Sequence, residues 1–134
     1  TISKKVSFSK IAAIESRGFI FAVVLSFLTN RPLVLLRKKG KLPGKTYSQK
    51  FKLEYGFDIL EIHKSSLKKN DKVLIIDDLI ATGGTALAGA KLVEKAKAKV
   101  SGFIFLINLF DLPGNDKLKS KGYKTFSLIK FPGH

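Results

Sequence analysis

The sequence predicts an α/β fold: a parallel, doubly wound sheet with helices on both faces and a projecting β-hairpin. Short apolar runs alternate along the chain with longer segments of helical composition, which favours strands joined by crossover helices. One run, residues 73–76, has a valine, a leucine and two isoleucines between charged residues, the pattern of a central strand buried on both faces. A segment of alternating polarity at residues 47–53 precedes a glycine and a second apolar segment, which predicts the hairpin.

The first half of the chain contains the hairpin and three other elements. Residues 18–28 are apolar on every side, so they predict a buried helix. Glycines and Pro43 mark a loop at residues 40–44. The predicted elements, in order, are a strand at 11–14, the buried helix at 18–28, a strand at 32–36, the loop at 40–44, and hairpin strands at 47–53 and 59–62 that turn near residues 56–58.

The second half repeats the alternation of strand and helix without any internal sequence repeat. The predicted elements are a polar turn at 68–71, the apolar strand at 73–76, a turn at 81–85, a helix at 86–98, a strand at 102–109, a short polar helix at 116–121 and a strand at 125–129. With 134 residues and 45% hydrophobic content, the chain has enough apolar material for one compact core. We therefore predict a single domain over residues 1–134.

Two acids and a glycine-rich turn follow the apolar strand at 73–76. Asp77 and Asp78 are predicted at its carboxyl end, the edge of an open α/β sheet where ligands bind. The sequence Ala-Thr-Gly-Gly-Thr at 81–85 can present several backbone N–H groups, and a helix beginning near Thr85 adds its positive N-terminal dipole. The two adjacent glycines permit close approach of the backbone to a ligand. This combination favours a sugar-phosphate site, although a purely structural turn with solvated acids is the alternative.

The spacing of this turn excludes two common phosphate-binding motifs. It has neither the Walker lysine after the second glycine nor the Gly-x-Gly-x-x-Gly spacing of dinucleotide-binding folds. A second candidate stretch, which contains Ser16 and Arg17, lies between a predicted strand and a predicted helix, so it can bind a pyrophosphate by the same helix-terminus physics. The alternative is a serine N-cap with a salt-bridged arginine. A basic loop containing Lys38 and Lys41 either closes over negative charge or is a solvated face.

The net charge of +15 suggests nucleic-acid binding, but the distribution of the charge argues against it. Only Arg17, Arg31 and Arg37 are arginine, the residue favoured for bidentate phosphate and base contacts, and the lysines are spread along the whole chain. No apolar run is long enough to cross a bilayer, so no membrane partner is expected. The chain has no cysteine, which fits a reducing compartment, and we expect a cytoplasmic protein. His63 and His134 have too few neighbouring ligands to predict a metal site.

These motifs resemble one known family. Residues 73–85 resemble the signature of the type I phosphoribosyltransferases, and the other segments follow the order found in the adenine phosphoribosyltransferase family. Those segments are Glu-Ser-Arg-Gly-Phe at 15–19, Arg-Lys-Lys-Gly-Lys-Leu-Pro-Gly at 37–44, Leu-Glu-Tyr-Gly at 53–56, Leu-Glu-Ile-His at 60–63, Asn-Leu-Phe-Asp at 108–111 and Phe-Pro-Gly-His at 131–134. The resemblance covers nearly the whole chain.

The resemblance implies an activity and a set of residue roles. The expected reaction is transfer of the 5-phosphoribosyl group from phosphoribosyl pyrophosphate (PRPP) to N9 of adenine, giving AMP and pyrophosphate in purine salvage, with Mg²⁺ arriving on PRPP. By resemblance, the roles would be divided as follows: Asp77 and Asp78 at the ribose hydroxyls, Ala81, Thr82, Gly83, Gly84 and Thr85 around the 5-phosphate, Ser16, Arg17, Lys38 and Lys41 at pyrophosphate, and Glu54 as acid/base with Tyr55 as a gate. The family also implies a hairpin lid at about residues 40–63 and a homodimer.

One departure from the family leaves other functions open. Family members carry an N-terminal segment with a hood over adenine, and this sequence begins almost directly at the strand before Glu-Ser-Arg. Three interpretations of the missing hood are open: a truncated gene start, a hood supplied from elsewhere, and PRPP binding with weak or lost adenine specificity and a reduced rate. The alternatives are an impaired homologue or regulator that binds PRPP without efficient catalysis, and a basic nucleic-acid-binding module on the same fold.

Overall fold

The computed structural model describes residues 7–53 and 55–132 of the chain. Its elements, in order, are β1 (Lys10–Ile14), α1 (Gly18–Thr29), β2 (Leu33–Lys38), β3 (Thr46–Lys52), β4 (Phe57–His63), β5 (Lys72–Ile80), α2 (Gly84–Lys95), β6 (Lys99–Leu109), α3 (Gly114–Ser120) and β7 (Thr125–Phe131). All of the predicted strands and helices are present. Most differ from the prediction by a few residues at the ends.

The strands form one seven-stranded sheet in the order β3-β4-β2-β1-β5-β6-β7. The five strands from β2 to β7 in this order are mutually parallel. The β3–β4 hairpin joins the edge of this parallel sheet because β4 pairs antiparallel with β2 at Arg37↔Glu61 and Lys38↔Leu60. The predicted α/β class is confirmed, and the hairpin extends the sheet from its edge.

The core lies on both faces of the sheet. Successive residues of β1 alternate between the faces, so that Ala12 and Ile14 pack in the cluster beneath α2 while Ile11 and Ala13 pack beneath α1. Five consecutive residues of β5, from Val73 to Asp77, are buried, as expected for a central parallel strand. The helices therefore cover opposite faces.

Helix α1 is not buried all round, so that part of the prediction is wrong. Of its twelve residues, Gly18 and Ala22 are buried where the helix contacts β1 and β5. The opposite face is apolar and exposed, and Phe27, for example, is 83% exposed. An apolar composition predicts that a helix needs cover, but it does not show that the same chain supplies it.

Two further boundaries differ from the prediction in ways that matter for the site. The hairpin turn was predicted near residues 56–58, but Phe57 already begins β4 and the turn lies before it. Strand β5 continues to Ile80, so Asp77 and Asp78 lie within the strand and not beyond its end. The ladder with β6 continues past the acids through Leu79↔Ile107 and Ile80↔Asn108, and this pairing keeps the polar residues extended.

Candidate active site

The two acids of β5 have different environments. Asp77 is 9% exposed, and one of its carboxylate oxygens accepts a hydrogen bond from the backbone N–H of Asp78 at 2.8 Å. The pKa of Asp77 is raised to about 8, mainly by burial and in addition by the neighbouring Asp78 carboxylate. At neutral pH Asp77 is therefore mostly protonated and can donate a hydrogen bond, while Asp78 can accept one.

Arg17 lies beside Asp78 because helix α1 begins very close to β5. A Cβ on Gly18 would lie 3.2 Å from both Cα of Asp77 and the carbonyl oxygen of Ile76, so glycine is what permits this approach. Arg17 Nε is 2.8 Å from Oδ2 of Asp78, and the Arg17 side chain is 80% exposed. The guanidinium thus has donors directed to solvent, where an anion could bind.

Ser16 does not cap helix α1, which was the structural alternative to a phosphate-binding role for this stretch. The N-cap of α1 is Arg17, not Ser16, and no described side chain caps this helix. Ser16 is exposed, and the Glu15–Ser16 peptide bond is cis. The alternative was correct in one respect, since the arginine is salt-bridged.

The glycine turn connects β5 to α2 and contacts the first residue of α3, Gly114. Gly83 has φ of 90°, a conformation that residues with a Cβ rarely adopt, and it forms the N-cap of α2. None of the described side chains caps α2, so its first N–H groups point toward the turn without a side-chain acceptor. The N–H of Gly114 donates to the carbonyl oxygen of Ala81 at 2.8 Å and fixes the turn against α3. Thr82 is exposed and Thr85 is half-buried.

The basic loop after β2 lies next to the Arg17 turn and is tied to two acids. Lys41 Nζ is 2.7 Å from Oε2 of Glu15, the residue that follows β1. Lys38 Nζ is 3.3 Å from Oδ2 of Asp58 in the hairpin. Arg17, Lys38 and Lys41, the three cations predicted to bind pyrophosphate, are thus each paired with a carboxylate.

Comparison with known proteins assigns the chain to a family. The family model for the phosphoribosyl transferase domain matches residues 3–133. The chain belongs to this family. It is 59% identical over 132 residues to the adenine phosphoribosyltransferase of Pelagibacter ubique (strain HTCC1062), an alignment that covers 98% of this chain and 75% of that protein.

Solved structures give the same result for this phosphoribosyltransferase. The adenine phosphoribosyltransferase from Thermoanaerobacter pseudethanolicus is 47% identical, with a TM-score of 0.91 over 97% of this chain and 76% of that one. The enzyme from Saccharomyces cerevisiae, solved with an imino-altritol bisphosphate and adenine, is 37% identical, with a TM-score of 0.87 over 95% of this chain and 70% of that one. The resemblance noted in the sequence is confirmed.

The predicted site residues of the phosphoribosyltransferase fall into three groups. Arg17, Asp77, Asp78 and the turn at 81–85 lie around the carboxyl end of β5, together with Lys38, the last residue of β2, and Lys41 in the loop that follows. Tyr55 lies in the hairpin turn and is 88% exposed. Glu54 lies outside the described residues. His63 Nε2 is 2.6 Å from the carbonyl oxygen of Pro43, and the described residues contain no group of three metal-ligating His, Cys, Asp or Glu side chains.

Sequence reasoning gave no role to three acids that contact the basic loop. Glu15, Asp58 and Glu61 each bind a residue of this loop. Glu15 and Glu61 stand inside motifs that were singled out, but they are 26 and 21 positions away in sequence from the loop residues they bind, so no local signal identified these contacts. None of the helices in the described part of the chain has the length and hydropathy to cross a membrane.

Proposed function

We propose that this chain transfers the 5-phosphoribosyl group from PRPP to N9 of adenine and releases AMP and pyrophosphate, a reaction of purine salvage. The observation that carries the proposal is the Arg17–Asp78 pair, 2.8 Å apart, beside the glycine turn that begins α2. A cation, a pair of acids and a helix N-terminus meet at one edge of the sheet. A pentose phosphate with an anionic leaving group requires all three.

The leaving group is the first requirement. Cleavage of the C1–O bond leaves negative charge on pyrophosphate and positive charge on the ribose ring, so stabilisation of the anion lowers the barrier. Arg17, Lys38 and Lys41 would supply this stabilisation, and the hydroxyl of Ser16 would add a donor. The carboxylate partners of Arg17 and Lys38 do not prevent this, since exposed ion pairs contribute about 0–1 kcal/mol and a polyanion can displace them. Lys41 can bind the anion while it stays bonded to Glu15, because an ammonium group has three N–H donors.

The 5-phosphate would occupy the turn formed by Ala81, Thr82, Gly83, Gly84 and Thr85. Its dianion would accept hydrogen bonds from backbone N–H groups at the start of α2, where the helix dipole is favourable. The ribose hydroxyls would then lie over β5. Asp77, whose pKa is raised to about 8 by burial, would donate to one hydroxyl, and Asp78 would accept from another.

The base would enter beneath the hairpin. We propose that residues 40–63 act as a lid, with Glu54 as the acid/base for the purine ring and Tyr55 as a gate that excludes water. The exposure of Tyr55, 88%, supports this because an open lid leaves its gate in solvent. Because β4 pairs with β2 over two residue pairs, movement of the hairpin as a lid would break few of the hydrogen bonds that join it to the parallel sheet.

The substrate is proposed to be the magnesium complex of PRPP. The donor set supports this arrangement, because Asp78 is paired with Arg17 and Asp77 is mostly protonated at neutral pH. The two acids together therefore carry little net negative charge to hold a resident ion. The metal would be held by phosphate oxygens of the substrate and would neutralise part of their charge.

The remaining parts of the proposal concern assembly and location. We propose that residues 1–134 act as one domain, in a homodimer that covers the exposed face of α1. The apolar side chains of that face have exposures between 53% and 83%, namely Ile20, Val23, Val24, Phe27 and Leu28. A contiguous patch of this kind marks an interaction surface. A cytoplasmic location is included because a chain without cysteine does not depend on an oxidising compartment.

The proposal is tested by mixing purified protein with PRPP, magnesium and one of adenine, hypoxanthine or guanine, and following nucleotide formation. We expect AMP and no other nucleotide. Preference for hypoxanthine or guanine would contradict the choice of base. Binding of PRPP without AMP formation would favour the impaired homologue or regulator, and oligonucleotide binding that persists at physiological salt would favour the nucleic-acid module.

A further inference from the structure

Glu15 has the most completely hydrogen-bonded carboxylate near the site. Its side chain is 8% exposed and lies immediately after β1. It accepts hydrogen bonds from Nε of Arg37 at 3.2 Å, the backbone N–H of Lys38 at 3.0 Å and Nζ of Lys41 at 2.7 Å. All three donors belong to the basic loop or to the end of β2 that leads into it.

The charge of Glu15 is maintained by these contacts. Burial alone would raise its pKa, but the hydrogen bonds from Lys41, Lys38 and Arg37 outweigh that effect and lower the pKa to about 2. Glu15 is therefore a permanent anion at physiological pH. It is fixed to two adjacent strands of the sheet, since β1 and β2 pair in parallel register up to Ile14↔Leu36.

The other side of the loop is held by the hairpin. The backbone N–H of Gly40 donates to Oε1 of Glu61 at 2.9 Å, and Oε2 of Glu61 accepts from the hydroxyl of Thr46 at 3.0 Å. Hydrogen bonds thus hold the loop at Glu15 on one side and at Glu61 on the other. The Glu15 side connects it to the turn that contains Arg17.

The ion pair of Lys38 with Asp58 is of a different kind. Its distance is 3.3 Å and the two side chains are 55% and 26% exposed, so solvent weakens the pair and an anion can replace Asp58. Glu15, by contrast, binds a backbone N–H together with two cations. Lys41 gives one of its three N–H donors to Glu15 and keeps two for a ligand.

We propose that Glu15 is a positioning residue, which holds the basic loop so that Lys38 and Lys41 face the pyrophosphate bound at Arg17. This inference rests on the proposed function. Glu15 touches neither the substrate nor the reacting atoms, and it acts through the three donors that it orients. Loss of its charge releases Lys41 and the end of β2, so Lys38 and Lys41 are no longer oriented toward the bound pyrophosphate.

The test compares Glu15→Gln with Asp71→Asn. Asp71 is a matched control because it also accepts from a lysine, Lys10, at 2.9 Å and from a backbone N–H, that of Lys68, at 2.7 Å, and its pKa is likewise lowered by these bonds against the effect of burial. It precedes β5 and so lies at the opposite end of the sheet from the site. Both variants lose a comparable buried anion, and only one touches the basic loop.

Binding of magnesium pyrophosphate is measured by titration calorimetry, and Tm is measured for each variant. We expect Glu15→Gln to weaken binding at least tenfold and Asp71→Asn to bind within twofold of the native protein, even if both lower Tm. In a double-mutant cycle, Lys41→Met should weaken binding less in the Glu15→Gln background than in the native protein, because Lys41 faces the ligand only while Glu15 orients it.

Each outcome bears on one conclusion. If the native protein does not bind magnesium pyrophosphate or PRPP, the proposed function fails. If the native protein binds and Glu15→Gln binds equally well or more tightly, Glu15 is not a positioning residue, and tighter binding would make it a competitor of the ligand. If Glu15→Gln does not fold, Glu15→Asp decides, since its retained charge on a shorter side chain should give a native Tm with weaker binding. Native affinity in a folded Glu15→Asp would overturn the proposal.

Discussion

Substitution of Gly114 by alanine tests whether the phosphate turn must keep its present shape. A Cβ on Gly114 would lie 2.7 Å from the backbone nitrogen of Gly83 and 2.8 Å from Cγ1 of Ile80. The same Cβ would lie closer still to the carbonyl oxygen of Ala81. Because favourable contacts between nonbonded atoms begin near 3.5 Å, the turn or α3 must move by about 1 Å. The hydrogen bond from Gly114 to Ala81, 2.8 Å long, transmits this movement to the turn.

The expected effects concern both stability and binding. Overpacking of this kind costs about 1–3 kcal/mol of unfolding free energy. A displacement of about 1 Å in a group that positions substrate can cost about a hundredfold in rate. We therefore expect Gly114→Ala to raise the KM for PRPP at least tenfold, with a smaller change in kcat because Gly114 touches no reacting atom. The assay is the initial rate of AMP formation at saturating adenine with varied PRPP.

Gly89→Ala is the matched control. Its Cβ would lie 3.4 Å from Cδ1 of Leu36 and 3.5 Å from Cδ1 of Ile14, contacts that flexible side chains can relieve. Because Gly89 lies inside α2, alanine should leave KM unchanged and add up to about 1 kcal/mol of stability. A native KM in folded Gly114→Ala would refute the reasoning, as would an equal rise in both variants.

Three further predictions concern charge, chemistry and assembly. The pKa of Asp77 is raised from 3.8 to about 8 by burial, so its contribution to stability is complete below pH 4 and is lost as the pH rises to 8. The free energy of unfolding of Asp77→Asn should therefore be at least about 1 kcal/mol higher than that of the native protein at pH 8, and about equal to it at pH 3.5. Denaturant titrations that show no difference at pH 8 would contradict this. Asp78→Ala and Glu54→Gln should each lower kcat/KM for AMP formation at least tenfold in steady-state assays, and native rates would exclude the proposed roles. Phe27→Glu should convert a dimer to a monomer in sedimentation experiments, whereas an unchanged mass would show that α1 is not the interface.

The parts of the fold that sequence could predict are those set by local pattern. The apolar run at 73–76 identified the central strand, and the glycines at 83 and 84 identified the turn and the start of α2. These features depend on residues close together in the chain. Burial on both faces and freedom at positive φ are properties that a few neighbouring residues determine.

The parts that sequence missed depend on contacts between distant residues. Glu15 binds residues 22 to 26 positions away, and no local pattern shows which lysine will meet which acid. Strand β5 continues through Asp77 and Asp78 because β6 pairs with it, although the acids interrupt the apolar run. The exposed face of α1 was missed because apolar composition shows only that a helix requires cover.

The central claim is that the turn after Asp77 and Asp78, together with Arg17, binds an activated pentose phosphate. Titration calorimetry of the intact protein with PRPP and magnesium tests it most directly. We predict one saturable site per chain, weakened at least tenfold by Arg17→Ala. A folded protein that takes up no PRPP under these conditions would contradict the account.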